Sequence, residues 1–135
     1  MEIEAREAGE MIGAMAARLS REAKGPTCLI YGGETVVRLR GKGKGGRNQE
    51  LALTAAGCIK ELDNVCVFSV GSDGTDGPTD AAGGYVDGLT FSKIKDYDTY
   101  LDNNDSYNAL MLSDGLIFTG PTGTNVNDFA AILIK

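Results

Sequence analysis

The chain contains no histidine and no tryptophan, and its 135 residues include only three prolines and three cysteines. Without histidine, Ser-His-Asp and Cys-His nucleophilic sites are excluded, as are zinc sites built on histidine. Any catalysis must therefore use Lys, Arg, Asp, Glu, backbone amides or a bound metal. No apolar run approaches the length of about 18 residues that predicts a membrane-spanning helix, so we expect no membrane partner.

Composition and charge narrow the class of protein further. The chain carries nineteen acidic and thirteen basic residues, for a net charge of −6 at pH 7. Proteins that bind nucleic acid are usually basic, so we expect no nucleic-acid partner. The three cysteines lie in apolar stretches without metal-motif spacing, and we predict that they are buried free thiols in a reducing cytoplasm: Cys28, Cys58 and Cys66. The acidic N-terminal segment lacks the apolar core of a signal peptide, which also favours a cytoplasmic location.

The first half of the chain shows helical and then strand-like hydrophobic patterns. A leading helix is predicted over residues 3–23. Strands are predicted at residues 28–31 and 34–40, joined by two glycines as a hairpin. A second helix is predicted from about Asn48 to Glu61, with Asn48 as its N-cap.

The second half adds strands and short helices. They are predicted as a central strand at 65–70, two or three short helices within 88–113, and strands at 116–118 and 129–134. This order indicates an α/β layered domain with a mixed β-sheet and flanking helices. We expect a single domain, in which a leading helix in residues 1–24 precedes a core at 25–135.

The strongest functional signal is a basic, glycine-rich loop. Five of the thirteen basic residues alternate with four glycines between positions 38 and 47: Arg38, Arg40, Lys42, Lys44 and Arg47, with Gly41, Gly43, Gly45 and Gly46. Glycines allow backbone N–H groups to approach a ligand, and the cations suit a phosphate or carboxylate. The loop nearly matches the phosphate-binding pattern G-x-x-x-x-G-K-[ST], but arginine replaces the lysine. We assign the catalytic role to Arg47, at a predicted helix start. The alternative is a solvated basic turn.

Two further polar loops follow predicted strands. The loop at 71–80 carries Asp73 and Asp76, which we expect to contact a metal ion or ligand hydroxyls. The loop at 119–128 offers neutral donors. For both loops the alternative is ordinary turn chemistry, with Asp, Asn, Thr and Gly shaping the backbone.

Together the three loops define a predicted ligand-facing surface. Ligands of α/β sheets lie beyond the carboxyl ends of the strands, so loops that follow parallel strands share one edge and converge. The residues expected to bind substrate or phosphate are Lys42, Gly43, Lys44, Gly45, Gly46, Thr122, Thr124 and Asn125.

Several long motifs resemble the MOFRL domain. They are Tyr31–Thr35, Arg40–Glu50, Ser72–Gly83, Asp102–Tyr107 and Thr119–Asp128. The resemblance extends from about residue 25 to the C-terminus. This domain forms the C-terminal part of bacterial and animal glycerate 2-kinases, and many of its relatives are labelled hydroxypyruvate reductases.

The resemblance implies one half of a two-domain kinase. ATP with Mg²⁺ would phosphorylate D-glycerate in a cleft between this domain and a larger N-terminal kinase domain, present in cis or in trans. Arg47 falls in the family's GGRNQE motif and is expected to contact substrate or the transferred phosphate. Because the N-terminal domain is absent from this chain, we expect the chain alone to be inactive.

Two alternatives stay open. Gly41–Gly46 also fits the dinucleotide pattern G-x-G-x-x-G, which would favour an NAD(P)H-dependent hydroxypyruvate reductase, but a lone match of this kind is weak. The other alternative is a stand-alone module that binds anions or docks a partner. A chain without its neighbouring domain should expose the surface that normally faces that domain and associate weakly through it, so a homo-oligomer is a further expectation.

Overall fold

The computed structural model describes residues 3–135, which form an α/β domain. Seven strands and four helices follow one another in the order β1 (Ile3–Glu4), α1 (Ala5–Glu22), β2 (Thr27–Gly33), β3 (Thr35–Val36), α2 (Arg47–Cys58), β4 (Val65–Gly71), β5 (Gly83–Asp87), α3 (Tyr97–Asp102), α4 (Ser106–Leu112), β6 (Leu116–Ile117) and β7 (Asp128–Ile134). A single 3₁₀ turn, Phe91–Lys93, precedes α3. The predicted short helices of residues 88–113 are therefore confirmed.

The strands form two sheets. The main sheet has five strands in the order β2–β7–β4–β5–β6, and every neighbouring pair is antiparallel. A separate small sheet pairs β1 with β3 in parallel. The α/β class predicted from the sequence is confirmed, with parallel and antiparallel pairs in different sheets.

The predicted hairpin is wrong. Strand β2 pairs with the terminal strand β7 over all seven of its residues, not with the segment that follows it. Gly33 has a φ of +144°, which favours glycine, and it turns the chain out of the main sheet after β2. Of the second predicted strand only Thr35–Val36 is β-structure, because the longer, apolar β7 provides a partner for the whole of β2.

The hydrophobic core lies between the main sheet and the two long helices. Val67, Val86 and Ile132 are fully buried on one face of the sheet, which we call the inner face, and they join one core cluster with residues of α1 and α2. The helices approach each other closely at glycines of α1. A Cβ atom on Gly9 would lie 2.6 Å from the carbonyl oxygen of Leu51.

The helix predicted at residues 3–23 begins two residues later than predicted, because Ile3 and Glu4 belong to β1.

The cysteines are free, as predicted, but their burial is not uniform. Cys58 and Cys66 are partly buried, and burial raises the pKa of both thiols. The prediction of burial is wrong for Cys28, which is exposed because its side chain lies on the face of the sheet that no helix covers. Across residues 3–135, no helix combines the length and the apolar composition needed to cross a bilayer.

Candidate functional site

The three polar loops converge at one edge of the main sheet. Gly71, at the end of β4, is paired with Asp128, at the start of β7, and Asp128 is paired on its other side with Gly33, at the end of β2. The loop at 41–47 joins them through Gly46, where an added Cβ atom would lie 2.5 Å from Cγ of Asp76, so the three loops meet although the strands are antiparallel. An antiparallel neighbour brings the loop that precedes it to the same edge as the loop that follows the first strand.

The loops at 71–80 and 119–128 are joined by hydrogen bonds. The Thr122 hydroxyl donates to the carbonyl oxygen of Ser72 at 2.5 Å, and the Val126 N–H donates to the Ser72 hydroxyl at 2.8 Å. The hydroxyl of Thr122, predicted to bind ligand, therefore links two loops. In the described chain, the side chains of Thr124 and Asn125 are exposed and have no such bonds, so they remain candidates for ligand contact.

Arg47 lies at the centre of this edge as the first residue of α2. Its Nε donates to Oδ2 of Asp128, and its Nη2 donates to Oδ1 of Asp128 at 3.1 Å. The same Nη2 is 3.2 Å from Oε1 of Glu34. The hydrogen bonds to Asp128 raise the pKa of Arg47, so the guanidinium is always charged. About a quarter of the Arg47 side chain stays accessible, at 28%.

Sequence reasoning missed both carboxylates that hold Arg47. Asp128 is 8% exposed and binds the guanidinium in a two-point, fork-like arrangement that fixes its orientation. Glu34 is largely exposed, so it holds the same group more loosely. The sequence signal that could have identified Asp128 is its position, because it lies where the third polar loop meets an apolar strand.

The role predicted for Asp76 is corrected by the structure. Asp76 is fully buried, and its carboxylate accepts hydrogen bonds from the N–H groups of Asn48 at 3.0 Å and Gln49 at 2.8 Å. A third bond comes from the Asn48 side-chain amide at 3.1 Å. Asp76 is 0% exposed, so its carboxylate is not accessible to a metal ion or a ligand hydroxyl in this structure.

Asp76 also replaces the predicted N-cap. The residue before α2 is Gly46, and Asn48 is the second residue inside the helix, so the prediction of Asn48 as N-cap is wrong. The second and third N–H groups of a helix are those that a capping side chain usually binds. Burial raises the pKa of Asp76, and its hydrogen bonds and Arg47 act in the opposite direction. The chain thus provides its own anion at the start of α2, where we had predicted a phosphate.

The basic loop is also bound differently from the prediction. The backbone N–H groups of its first part, from Arg40 to Lys44, point into the turn between α3 and α4 and are not free to cradle a ligand. The Lys42 N–H donates to Oδ1 of Asn103 at 3.0 Å, the Gly43 N–H to the Asn103 carbonyl at 2.9 Å, and the Lys44 N–H to Oδ1 of Asp105 at 2.9 Å. The glycines are needed for close packing, since a Cβ atom on Gly43 would lie 2.4 Å from Cβ of Asp105.

Asn104 fixes the start of the same loop. Its side-chain oxygen accepts from the N–H groups of Arg40 at 2.5 Å and Gly41 at 2.9 Å, and its amide donates to Oε1 of Glu50 at 2.9 Å. Both Asn104 and Glu50 are almost fully buried. Burial is the main reason that the pKa of Glu50 is raised above its usual value. The Asp102–Tyr107 motif therefore holds the basic loop against α2, a role that sequence reasoning did not identify.

A cleft of about 890 Å³ lies beside the basic loop. Its lining includes Gly45, Gly46, Arg47 and Ser106. The Ser106 hydroxyl is buried and has no hydrogen-bond partner within residues 3–135. Lys42 and Lys44 are exposed at this loop, and the Lys44 ammonium lies 3.9 Å from the ring centre of Tyr107. The lining of the cleft thus combines the cations of Lys42 and Arg47 with the carboxylates of Glu34 and Glu50, and the buried Ser106 hydroxyl lies unpaired beside it.

The structure shows no complete metal site in the part of the chain that it describes. Within residues 3–135, no three His, Cys, Asp or Glu side chains come together as a cation-binding group. Asp73 is partly exposed, and one of its oxygens accepts from the Thr75 N–H at 3.0 Å. Of the two predicted metal or hydroxyl contacts, Asp73 alone remains accessible.

The packing of Gly46 against Asp76 leads to a stability prediction. A Cβ atom on Gly46 would lie 2.5 Å from Cγ of Asp76, so Gly46→Ala must displace the buried carboxylate or the loop. We expect a loss of about 1–3 kcal/mol in the free energy of unfolding, as for other overpacked sites. Gly25→Ala is the control, because no atom lies within 4 Å of the added Cβ. Urea unfolding measures both, and equal stabilities for the two variants would contradict the packing role.

The buried carboxyl of Glu50 leads to a pH prediction. Its pKa is raised above the ordinary 4.5, so the unfolded state releases the proton first as the pH rises. Glu50→Gln keeps an acceptor for Asn104 without the charge. The wild-type free energy of unfolding should therefore fall relative to that of Glu50→Gln above pH 4.5, and the difference should level off once the folded carboxyl has ionised. Urea unfolding across this range tests it, and a difference independent of pH would refute it.

Comparison with known proteins supports the motifs found in the sequence. Residues 27–128 match the model of the MOFRL family. D-glycerate 2-kinase of Thermotoga maritima is 54% identical over 141 aligned positions, which cover 99% of this chain and 34% of that protein. Human glycerate kinase is 41% identical over 123 positions, which cover 83% of this chain and 24% of that protein.

Solved structures agree with this result. The crystal structure of glycerate kinase from Thermotoga maritima superposes with a TM-score of 0.95 and 53% identity, over 100% of this chain and 34% of that one. A structure from Pyrococcus horikoshii gives a TM-score of 0.93 and 44% identity, and the match covers 100% of this chain and 33% of that one. The chain thus spans about a third of the length of these relatives. Because the family model covers most of the sequence and the fold agrees throughout, the chain belongs to the MOFRL family.

Proposed function

We propose that this chain is the C-terminal domain of a glycerate 2-kinase and forms one side of its active-site cleft. The observation that carries the proposal is the position of Arg47, which is fixed by Asp128 at the edge where three polar loops converge. The relatives that share this domain are named as glycerate kinases, and they are about three times as long as this chain. The remaining two-thirds would supply the N-terminal kinase domain and the other side of the cleft.

The chemistry of phosphoryl transfer fits the groups available here. Such reactions depend on positioning and charge neutralisation and need no covalent nucleophile, so a domain without histidine is suitable. Asp128 holds one edge of the Arg47 guanidinium, and the N–H groups of Nη1, which have no partner within the described residues, are free to bind a carboxylate or a phosphate. Glu34 is exposed and holds the guanidinium only at Nη2, so an incoming substrate anion can take its place.

Other residues have supporting roles in this proposal. Lys42 and Lys44 attract anions at the rim of the cleft, and Thr124 and Asn125 offer neutral donors from the third loop. Gly45 and Gly46 border the cleft. Gly43 supports the loop through its contact with Asn103 and is no longer expected to contact the ligand directly.

ATP is the phosphoryl donor in the proposed reaction, and the exposed ammonium groups of Lys42 and Lys44 suit its phosphates. Mg²⁺ fits less well, because no three possible ligands come together within residues 3–135 and, of the two carboxylates predicted to contact it, Asp73 alone is accessible. Mg²⁺ is often held by one or two carboxylates together with substrate phosphates. We propose a cytoplasmic location for the kinase, because the three cysteines of this chain are free thiols.

No feature of the described residues favours the reductase. The segment Gly41–Gly46 follows β3, which is two residues long and belongs to the small sheet, so it does not form part of a βαβ unit. The N–H groups of its first four residues donate to Asn103, Asn104 and Asp105. A dinucleotide pyrophosphate would need such groups free.

The proposal is tested by joining this chain to the N-terminal domain of a related kinase. We expect the isolated chain to fold and to show no glycerate kinase activity in a coupled ADP-release assay with ATP, Mg²⁺ and D-glycerate. A chimera in which this chain replaces the matching third of the Thermotoga maritima enzyme should turn over at an ordinary rate, about 1–1000 s⁻¹. Turnover by the isolated chain would contradict the half-site proposal. A folded chimera that reduces hydroxypyruvate with NADH and lacks kinase activity would favour the reductase.

A further inference from the structure

The Arg47 guanidinium has two edges, each of which can bind a carboxylate at two points. The edge formed by Nε and Nη2 is taken by Asp128, which accepts hydrogen bonds from both nitrogens. The edge formed by Nη1 and Nη2 has one contact, because Oε1 of Glu34 lies 3.2 Å from Nη2 and Nη1 has no partner within residues 3–135. One edge is therefore filled, and the second is half filled by a carboxylate of the chain itself.

Glu34 is the carboxylate that can leave Arg47. Its side chain is 59% exposed, whereas that of Asp128 is 9% exposed and bound at two points. The contact of Glu34 is an ion pair without the alignment of a hydrogen bond, and ion pairs this open to water stabilise a protein little. Rotation about the side-chain bonds of Glu34 is sufficient to turn its carboxylate into water, so the contact can be broken without a change in the backbone.

An anion that approaches Arg47 meets a surplus of negative charge while Glu34 stays in place. The carboxylates of Asp128, Glu34 and Asp76 all act on this one guanidinium and raise its pKa. A further anion would be repelled by these carboxylates, because like charges at short range disfavour one another. Once the Glu34 side chain has turned into water, its charge is screened over about 10 Å at 0.1 M salt. The second edge of Arg47 can therefore bind an external anion only when Glu34 is released.

We infer that the Nη1–Nη2 edge of Arg47 binds the carboxylate group of the substrate, and that Glu34 occupies this edge as an internal competitor until the substrate displaces it. The inference rests on the function proposed above and assigns Arg47 to the carboxylate of the substrate, not to the transferred phosphate. A carboxylate is the class expected, because the planar fork of arginine matches it and a carboxylate of the chain already lies there.

The competition also sets which anions bind. A substrate carboxylate makes two parallel hydrogen bonds, one to Nη1 and one to Nη2, where Glu34 makes a single contact. An anion that reaches only Nη2 exchanges one contact for another and gains little. Glu34 thus lowers the affinity of the domain for all anions at this edge, and ligands that bind both nitrogens are the ones that overcome it.

Anion binding by the 135-residue chain tests this inference. D-glycerate and, separately, inorganic phosphate are titrated at constant ionic strength, and the Nε–H resonance of Arg47 is followed by NMR. Glu34→Gln keeps the size of the side chain without its charge, so it should tighten the binding of D-glycerate by about threefold to tenfold. Glu22→Gln is the matched control, because it removes the same charge from another exposed ion pair, the contact of Glu22 with Arg18 at 3.1 Å on α1. Binding by that variant should equal that of the wild type.

A double substitution shows whether the gain depends on Arg47. Arg47→Ala should abolish binding at this edge, and adding Glu34→Gln to it should restore none, because no guanidinium is left to be freed.

Other results would overturn the inference. Unchanged binding in Glu34→Gln, or no binding by any variant, would show that Glu34 does not compete with a ligand. Weaker binding would show that Glu34 positions Arg47 instead, and an equal gain in Glu22→Gln would reduce the effect to net charge. A gain for phosphate without one for D-glycerate would assign the edge to a phosphate. Kinase activity of the chimera is a separate measurement, so failure of either proposal is recognised independently.

Discussion

Arg47→Ala in the chimeric kinase should lower kcat/KM by about 100- to 1000-fold, as expected for loss of a fixed charge that stabilises a phosphoryl-transfer transition state. Arg47 is held by Asp128 at the loop edge and stays partly accessible, so its removal takes away a positioned cation. Lys60→Ala is the control, because Lys60 follows the far end of α2, where its ammonium lies over the Phe91 ring. We expect the kcat/KM of the Lys60→Ala variant to remain within about threefold of the wild-type value.

Two further variants separate charge from orientation. Arg47→Lys keeps the charge but lacks the planar fork that Asp128 binds at two points, so activity should stay well below wild type. Asp128→Asn keeps the shape and weakens the hold on the guanidinium, so it should reduce kcat more than substrate affinity. Steady-state kinetics of the folded chimeras provide both parameters. Similar small effects of Arg47→Ala and Lys60→Ala would show that Arg47 has no role in the reaction.

Local sequence signals located the candidate site but not its internal contacts. Arg47 could be predicted because basic residues and glycines alternate within ten positions of an acidic chain. Its partners could not, because Asp128 lies 81 positions away and Glu34 lies in a segment predicted as a strand. Composition within a window reveals which groups are concentrated there, whereas pairing between distant segments depends on the fold.

The glycine-rich loop shows why the same residues allow two physical explanations. Alternating glycines predict either N–H groups exposed to an anion or a backbone that must pack closely against its neighbours. The sequence alone does not separate the two. In the structure, Asn103, Asn104 and Asp105 accept the N–H groups of residues 41–44, and Cβ atoms added at Gly41 and Gly43 would collide with that turn. The Asp102–Tyr107 segment was recognised as a family motif, but its partner lies about 60 positions earlier in the chain.

The prediction of a hairpin was wrong for a related reason. Two strand-like segments joined by two glycines favour a local hairpin. In the structure, β2 pairs with the terminal strand β7 instead. Strand β7 pairs with β2 on one side and β4 on the other and is buried along most of its length. A central strand can form hydrogen bonds on both edges, so the longer non-local ladder replaced the short local one. This pairing also places Asp128 beside Gly71 and assembles the loop edge that contains Arg47.

Asp76→Ala should cause one of the largest losses of stability, about 2–4 kcal/mol in the free energy of unfolding. The estimate combines loss of a helix cap, about 0.5–2 kcal/mol, with the cost of about 1–3 kcal/mol for leaving buried donors unpaired. Three donors lose their acceptor: the N–H groups of Asn48 and Gln49 and the side-chain amide of Asn48. The loss is partly offset because the buried carboxylate, with its raised pKa, no longer has to be kept out of water.

Asp80→Ala is the matched control from the same loop. Asp80 is exposed and accepts one hydrogen bond, from the Tyr107 hydroxyl at 2.8 Å, so its removal should have a much smaller effect. Urea unfolding followed by circular dichroism measures both variants. Hydrogen exchange adds a local readout, since the first turn of α2 should lose protection in Asp76→Ala before the rest of the helix. If Asp76→Ala is as stable as Asp80→Ala, the carboxylate does not hold α2, and the start of that helix is available for an external phosphate after all.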